Sequence, residues 1–168
     1  MKNDYEIRAQ KFIMKIAPYL EDCIYTDDYE MALDTIREAM PNRKIWCASG
    51  CARTAFITSD YVVKVEHEKD AVECYGGGEN EIRLYAEAVK DGMDYLFAKI
   101  SPFSYAGRTY YIMPRIRGIN EWRGKWAWDY MTTEEIHWCN QHGLDDLHCG
   151  NFGFRNHQLC IVDYASID

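Results

Sequence analysis

Two carboxylates and an amide near the C-terminus have the types and spacing that phosphoryl transfer requires. Asp146 opens the stretch Asp146-Leu147-His148-Cys149-Gly150-Asn151, and Asp163 follows the apolar run Cys160-Ile161-Val162. Moving a phosphoryl group to a hydroxyl asks little covalent chemistry of a protein. One carboxylate must orient the attacking hydroxyl, while an amide oxygen and a second carboxylate hold Mg²⁺ against the phosphates. Each residue also has a bland reading: Asp146 as a turn former, Asn151 as a turn residue after Gly150, Asp163 as a strand end.

A cation completes the set. Lys64 lies inside the apolar run Val62-Val63-Lys64-Val65. A surface Lys on an edge strand is the ordinary alternative, because Lys is usually exposed. Seventeen residues later comes Glu81, in Glu79-Asn80-Glu81-Ile82-Arg83-Leu84. In this order the residues resemble the protein-kinase-like superfamily, from about Ile45 to the C-terminus. The form Asp-Leu-His-x-Gly-Asn is similar to the catalytic loop of the aminoglycoside and choline kinase branch.

The resemblance implies roles. Asp146 would orient the acceptor, and Asn151 and Asp163 would hold the metal. Lys64 would contact the α- and β-phosphates, with Glu81 as its partner and Glu79 as the competitor. Ser49 and Gly50 fall in the nucleotide-covering loop, Ala48-Ser49-Gly50-Cys51-Ala52-Arg53. Tyr110-Tyr111-Ile112-Met113-Pro114-Arg115-Ile116 resembles the adenine-binding hinge. Backbone groups from Pro114 to Ile116, Arg115 included, would hold the base, and Met113 would line the pocket. Pro114 has no N–H, so the donor must be a neighbour. ATP and Mg²⁺ are the implied cofactors. The implied acceptor is a hydroxyl of a small molecule or of a partner protein.

There are departures from that pattern. The covering loop has one Gly, although small residues and backbone N–H groups still approach phosphates. Leu144-Asp145 stand where protein kinases carry His-Arg, and Asp163-Tyr164-Ala165 replaces Asp-Phe-Gly. The sequence stops five residues after Asp163, so the expectation is a truncated large lobe without a peptide-docking platform. Two further readings stay open: a pseudokinase that binds nucleotide or regulates a partner, and an interaction protein with no nucleotide.

These residues need elements to position them. Residues 4–24 read as a helix with Ile13, Ile16, Ala17, Leu20 and Ile24 on one face, split or kinked at Pro18. A second helix starts at Thr26-Asp27-Asp28, with Asp27 and Glu30 at capping-box spacing, and ends at Pro41. Strands at 45–47, 54–57 and 61–65 form an antiparallel meander. After Gly76-Gly77-Gly78 comes a helix from Glu79 to Lys90, its stripe Ile82, Tyr85, Ala86 and Val89, stopped by Gly92. Two strands follow near 96–100 and 109–113, then a helix from Thr133 to His142, the loop and a short hairpin. The expected fold is α+β: an antiparallel-sheet small lobe and an abbreviated helical large lobe. The expected divisions are 1–43, an N-terminal helical segment, 44–118, the small lobe and hinge, and 119–168, the truncated large lobe. The N-terminal helices, through Ile13, Ile16, Leu20, Leu33 and Ile36, are expected to cover the apolar underside of the catalytic-loop layer, with a homodimer as the alternative cover.

Composition narrows the function class. The 168 residues are 48% hydrophobic with a net charge of −8. That suits one core and disfavours general nucleic-acid binding, which needs Lys and Arg for the phosphates. No run of about 18 apolar residues predicts a membrane span, and the polar start lacks a signal sequence. Seven Cys, without Cys-x-x-Cys, suit a reduced cytoplasmic protein. Cys139, His142, His148 and Cys149 bring zinc-type ligands close in sequence, but at no standard spacing. Residues 121–128 are rich in Trp and basic side chains, the composition of a packed lobe, a lid or an interface.

Overall fold

The computed structural model describes residues 4–24, 26–50, 52–67, 77–117 and 125–164. Cys51, Gly76, residues 121–124 and Ala165 lie outside them. The elements are helix α1 (Asp4–Ile16), helix α2 (Thr26–Ala39), strands β1 (Trp46–Ser49), β2 (Arg53–Ile57) and β3 (Tyr61–Glu66), helix α3 (Gly77–Asp91), strands β4 (Ser101–Tyr105) and β5 (Arg108–Pro114), helix α4 (Thr133–Gln141), and strands β6 (Phe152–Arg155) and β7 (Gln158–Ile161). The architecture is α+β.

The chain divides into two compact units, 1–78 with 101–115, and 79–100 with 116–168. The first is built on a five-stranded antiparallel sheet, in the order β1-β2-β3-β5-β4. Side chains alternate across a strand, so Tyr61, Val63 and Val65 share one face of β3, and Val62, Lys64 and Glu66 the other. The first face is covered by α1 and α2. Phe12, Ile13, Ile16, Leu20, Leu33 and Ile36 are buried in one core with Phe56, Val63, Val65, Tyr110 and Ile112. Each such side chain contributes about 1.5–3 kcal/mol by burial. Arg108 ties the N-terminal segment down, donating to the Cys23 carbonyl at 2.8 Å and the Tyr29 hydroxyl at 2.9 Å.

This arrangement corrects the expected place of the N-terminal helices. Their apolar side chains belong to the core of the sheet that carries Lys64. The helix reading of 4–24 is also shortened: α1 ends at Ile16, Ala17–Tyr19 forms a 3-10 turn around Pro18, and Ile24 is exposed. Helix α2 begins at Thr26, so Asp27 lies within its first turn rather than before it.

In the second unit, β6 and β7 form an antiparallel hairpin. Ile161 bridges Phe97 in parallel, with Ala98 N–H donating to the Ile161 carbonyl at 2.8 Å. Phe97 packs against Trp138 and Tyr164 at ring separations of 5.6 and 5.1 Å. The apolar run 96–100, expected as a strand of the main sheet, is therefore the partner of β7, and β4 starts at Ser101. Helix α4 opens with a reciprocal cap between Thr132 and Glu135. On α3 Glu81, Leu84 and Ala88 are buried along with Gly78, while Val89 is 52% exposed. The expected stripe of Ile82, Tyr85, Ala86 and Val89 is thus rotated, because a carboxylate occupies the inner face.

Among the described residues no helix is long and apolar enough to cross a membrane. None of their His, Cys, Asp and Glu side chains gather in threes to hold a metal, which leaves the zinc reading of Cys139, His142, His148 and Cys149 without support.

Candidate functional site

The loop before β6 is organised by Asn151. Its side-chain amide donates to the Asp146 carbonyl at 2.6 Å. Its own carbonyl accepts the N–H groups of Val162 at 2.8 Å and Asp163 at 3.2 Å. One residue thereby joins the segment bearing Asp146 to the segment bearing Asp163. Asn151 uses one amide N–H in that task. Its Oδ1 has no partner among the described residues and keeps its acceptor capacity.

The loop has further supports. The Asn151 N–H donates to the His148 carbonyl at 2.9 Å, and the Ala127 N–H to the Leu147 carbonyl at 2.9 Å. Trp126 bridges His148. The Gly150 N–H donates to His148 Nδ1 at 3.0 Å, and His148 Nε2 lies 3.9 Å from Asp146 Oδ1. Behind the loop, β6 passes close to the segment 116–117. Phe154 N–H donates to the Arg117 carbonyl at 3.1 Å, and a Cβ on Gly153 would stand 2.6 Å from that oxygen.

Glu81 meets the same segment. It is fully buried, and its carboxylate accepts the Tyr164 N–H at 3.2 Å, one residue beyond Asp163. The Tyr164 hydroxyl donates to the Ala98 carbonyl at 2.7 Å, which locks that turn of chain. Asp146, Asn151, Asp163 and Glu81 therefore all belong to the second unit, linked through its backbone.

The first unit holds Lys64, Ser49, Gly50, Met113 and Arg115. Lys64 is 5% exposed on an interior strand, so the reading as an exposed edge-strand lysine fails. It pairs in register with Ala55 and Tyr111. Met113 pairs with Val62 and so shares the Lys64 face. The start of α3 reaches this face as well. Glu66 accepts the Gly78 N–H at 2.6 Å, and a Cβ on Gly78 would collide with the Tyr111 ring. Glu66 was not singled out from sequence. A Glu at a strand end, eleven residues before a helix, carries no distinctive signal.

Ser49 falls on the opposite, helix-covered face. It pairs with Thr54 across β1 and β2, and its hydroxyl lies 3.1 Å from Thr54 Oγ1 and 3.4 Å from Cys47 Sγ. Thr54 in turn meets His67 Nε2 at 3.0 Å. The Gly50 N–H closes the turn onto the Arg53 carbonyl at 2.9 Å. At the end of β5, the Arg115 N–H donates to the Asp60 carbonyl at 2.9 Å. Ile116 is assigned to the second unit, and its N–H has no hydrogen-bond partner among the described residues.

No protein-family model matches the chain, and no curated protein matches it. Solved structures do resemble it. A complex of APH(2″)-IIa with gentamicin aligns with a TM-score of 0.44 and 13% identity, over 79% of this chain and 69% of that one. A ternary complex of APH(2″)-IIa with streptomycin and ATP aligns with a TM-score of 0.38 and 14% identity, over 78% of this chain and 70% of that one. The site residues above stand on their own geometry.

Proposed function

We propose that this protein is an ATP- and Mg²⁺-dependent phosphotransferase that moves the γ-phosphoryl group to a hydroxyl of a small molecule or partner protein. The observation that carries this reading is the bonding of Asn151. It ties the Asp146 main chain to the Asp163 main chain and keeps its own amide oxygen as an acceptor. An amide oxygen with a carboxylate is a hard-oxygen donor set of the kind Mg²⁺ takes, so these residues fit the metal. When bound, Mg²⁺ would neutralise charge on the phosphate oxygens during transfer.

The chain's own groups then divide the work. Asp146 accepts a hydrogen bond from the acceptor hydroxyl and orients it. Lys64 supplies positive charge to the α- and β-phosphates, with Glu81 as its ion-pair partner. Tyr164 N–H holds the Glu81 carboxylate in place. At the hinge the Arg115 N–H is already used, which leaves Ile116 N–H as the adenine donor, with Met113 lining the base pocket. The free thiols Cys23, Cys47, Cys139, Cys149 and Cys160 suit a reduced cytoplasmic compartment.

The β1–β2 turn favours a second reading. Its Gly50 N–H and Ser49 hydroxyl are spent within the fold, which weakens the cover over the phosphates. A catalytically weak nucleotide-binding or partner-regulating module would follow from that.

A thermal-shift titration with ATP, with and without Mg²⁺, tests both, because a ligand that binds only the folded state must stabilise it. Wild type is expected to gain Mg²⁺-dependent stabilisation, and Asp163→Asn to lose it while staying folded. Equal shifts in both proteins would sink the metal assignment. Nucleotide-dependent stabilisation without phosphoryl transfer would select the second reading.

A further inference from the structure

We propose that His148 is a positioning residue for Asp146, its imidazole holding the loop backbone through Nδ1 and the Asp146 carboxylate through Nε2–H. This rests on the phosphotransferase reading for its catalytic meaning, but its geometry stands apart from it. A backbone N–H can only donate, so the Gly150 N–H at 3.0 Å makes Nδ1 an acceptor. The neutral ring then carries its proton on Nε2, the nitrogen that faces Asp146 Oδ1. The 3.9 Å between them is longer than a hydrogen bond. A hydrogen bond between them requires rotation of the carboxylate about its broad terminal torsion. Catalytic hydrogen bonds in ligand-free proteins are often long and tighten when substrate binds.

The ring's place is built in at several points. A Cβ on Gly150 would stand 2.8 Å from His148 Cε1, so residue 150 has to be glycine for the ring to lie there. The His148 carbonyl accepts the Asn151 N–H, and Trp126 bridges the His148 backbone. Asn151 holds the Asp146 main chain through its carbonyl. That leaves the Asp146 side chain without backbone restraint, and the His148 Nε2–H is the group that faces it. About half of each side chain is exposed, 48% and 51%, so an acceptor hydroxyl can reach the pair.

Two substitutions separate the two nitrogens. Asparagine places an oxygen where Nδ1 stands and has no donor at the Nε2 position. Glutamine reaches the Nε2 position with its amide and has no acceptor at the Nδ1 position. His148→Asn is expected to bind Mg²⁺ and ATP like wild type while kcat for Mg²⁺-dependent ATP turnover falls about tenfold or more. His148→Gln is expected to recover kcat to within about threefold of wild type while losing thermal stability. A His148→Asn protein with wild-type kcat, or equal losses in both variants, would overturn the proposal.

Nitrogen-detected NMR of the imidazole is independent of turnover. The expected wild-type tautomer is Nε2–H, with a resonance that moves in Asp146→Ala. An Nδ1–H tautomer, or an Nε2 resonance indifferent to Asp146→Ala, overturns the proposal even in a protein that turns over ATP. The expected spectra in a protein with no turnover would uphold the contact and count against the phosphotransferase reading instead.

Discussion

Two turns of this chain carry small and polar residues suited to meeting a nucleotide, and they dispose of their hydrogen bonds in opposite ways. At the β1–β2 turn the Gly50 N–H closes on the Arg53 carbonyl, and the Ser49 hydroxyl joins Cys47 and Thr54 on the helix-covered face of the sheet. In the loop before β6, Asn151 spends its donors on its own loop and keeps an oxygen in reserve. A polar group that completes the fold is lost to a ligand, because rebinding it means breaking a satisfied bond in a partly buried place. Residue type alone ranks these turns as equals. The destination of each hydrogen bond separates them.

The largest test of that contrast is Asn151→Leu. It removes both the clamp on Asp146 and the spare oxygen, and turnover of ATP should fall about a thousandfold. A rate within tenfold of wild type would break the comparison on its active side. Next in size is Gly153→Ala, which presses a methyl group against the Arg117 carbonyl behind the loop. Overpacking of this kind costs about 1–3 kcal/mol, and about 2–4 °C in Tm per kcal/mol for a chain of this length. An unchanged melting curve would mean that β6 is not held as tightly as drawn.

Ser49→Ala should do less. It should cost about 1 kcal/mol of stability and change the Mg²⁺-ATP Kd by less than about twofold, since the hydroxyl is already engaged. Tenfold weaker binding would return that hydroxyl to the nucleotide. The smallest effect concerns thiols. Burial, then the nearby Glu135 charge, pushes Cys139 up to about 12, and burial pushes Cys160 up to about 11. Both exceed the ordinary 9.0, so the unfolded chain releases these protons first as pH rises. Their contribution to stability is whole below about pH 9 and is lost towards pH 11–12. At pH 8 iodoacetamide should modify the half-buried Cys149 well before Cys139 or Cys160, as read by peptide mass mapping. Equal rates would mean that α4 and β7 open readily.

The legible parts of the sequence were those where hydropathy and geometry coincide. Short apolar runs bounded by turn residues found β1, β2, β3 and β5, and Gly92, at φ 75°, marked the end of α3. The Asp146, Asn151 and Asp163 spacing pointed to residues that the backbone does gather. The misreadings came from long-range partners. Leu96–Ile100 has the composition of a sheet strand, but its partner is Ile161, far along the chain. The inner face of α3 was read as its most apolar stripe, whereas Glu81 occupies it because Tyr164 N–H supplies the bond that a buried carboxylate needs. His148 looked like a motif letter, since nothing in its neighbours' identities reveals which ring nitrogen they contact.

The two units are interleaved along the chain, which passes between them after residues 78, 100 and 115. No single cut therefore separates them. On a ribosome, α3 emerges before the β4–β5 hairpin that completes the first sheet, and it must wait for residues 116–164 before Glu81 can receive the Tyr164 N–H. A chain stalled near residue 115 would hold a finished sheet and a helix with a carboxylate meant for burial still in water. The assembly of the second unit is then the late step, because the bonds joining Glu81 and residues 97–98 to residues 161–164 close only after the chain has passed through residues 101–115 of the first.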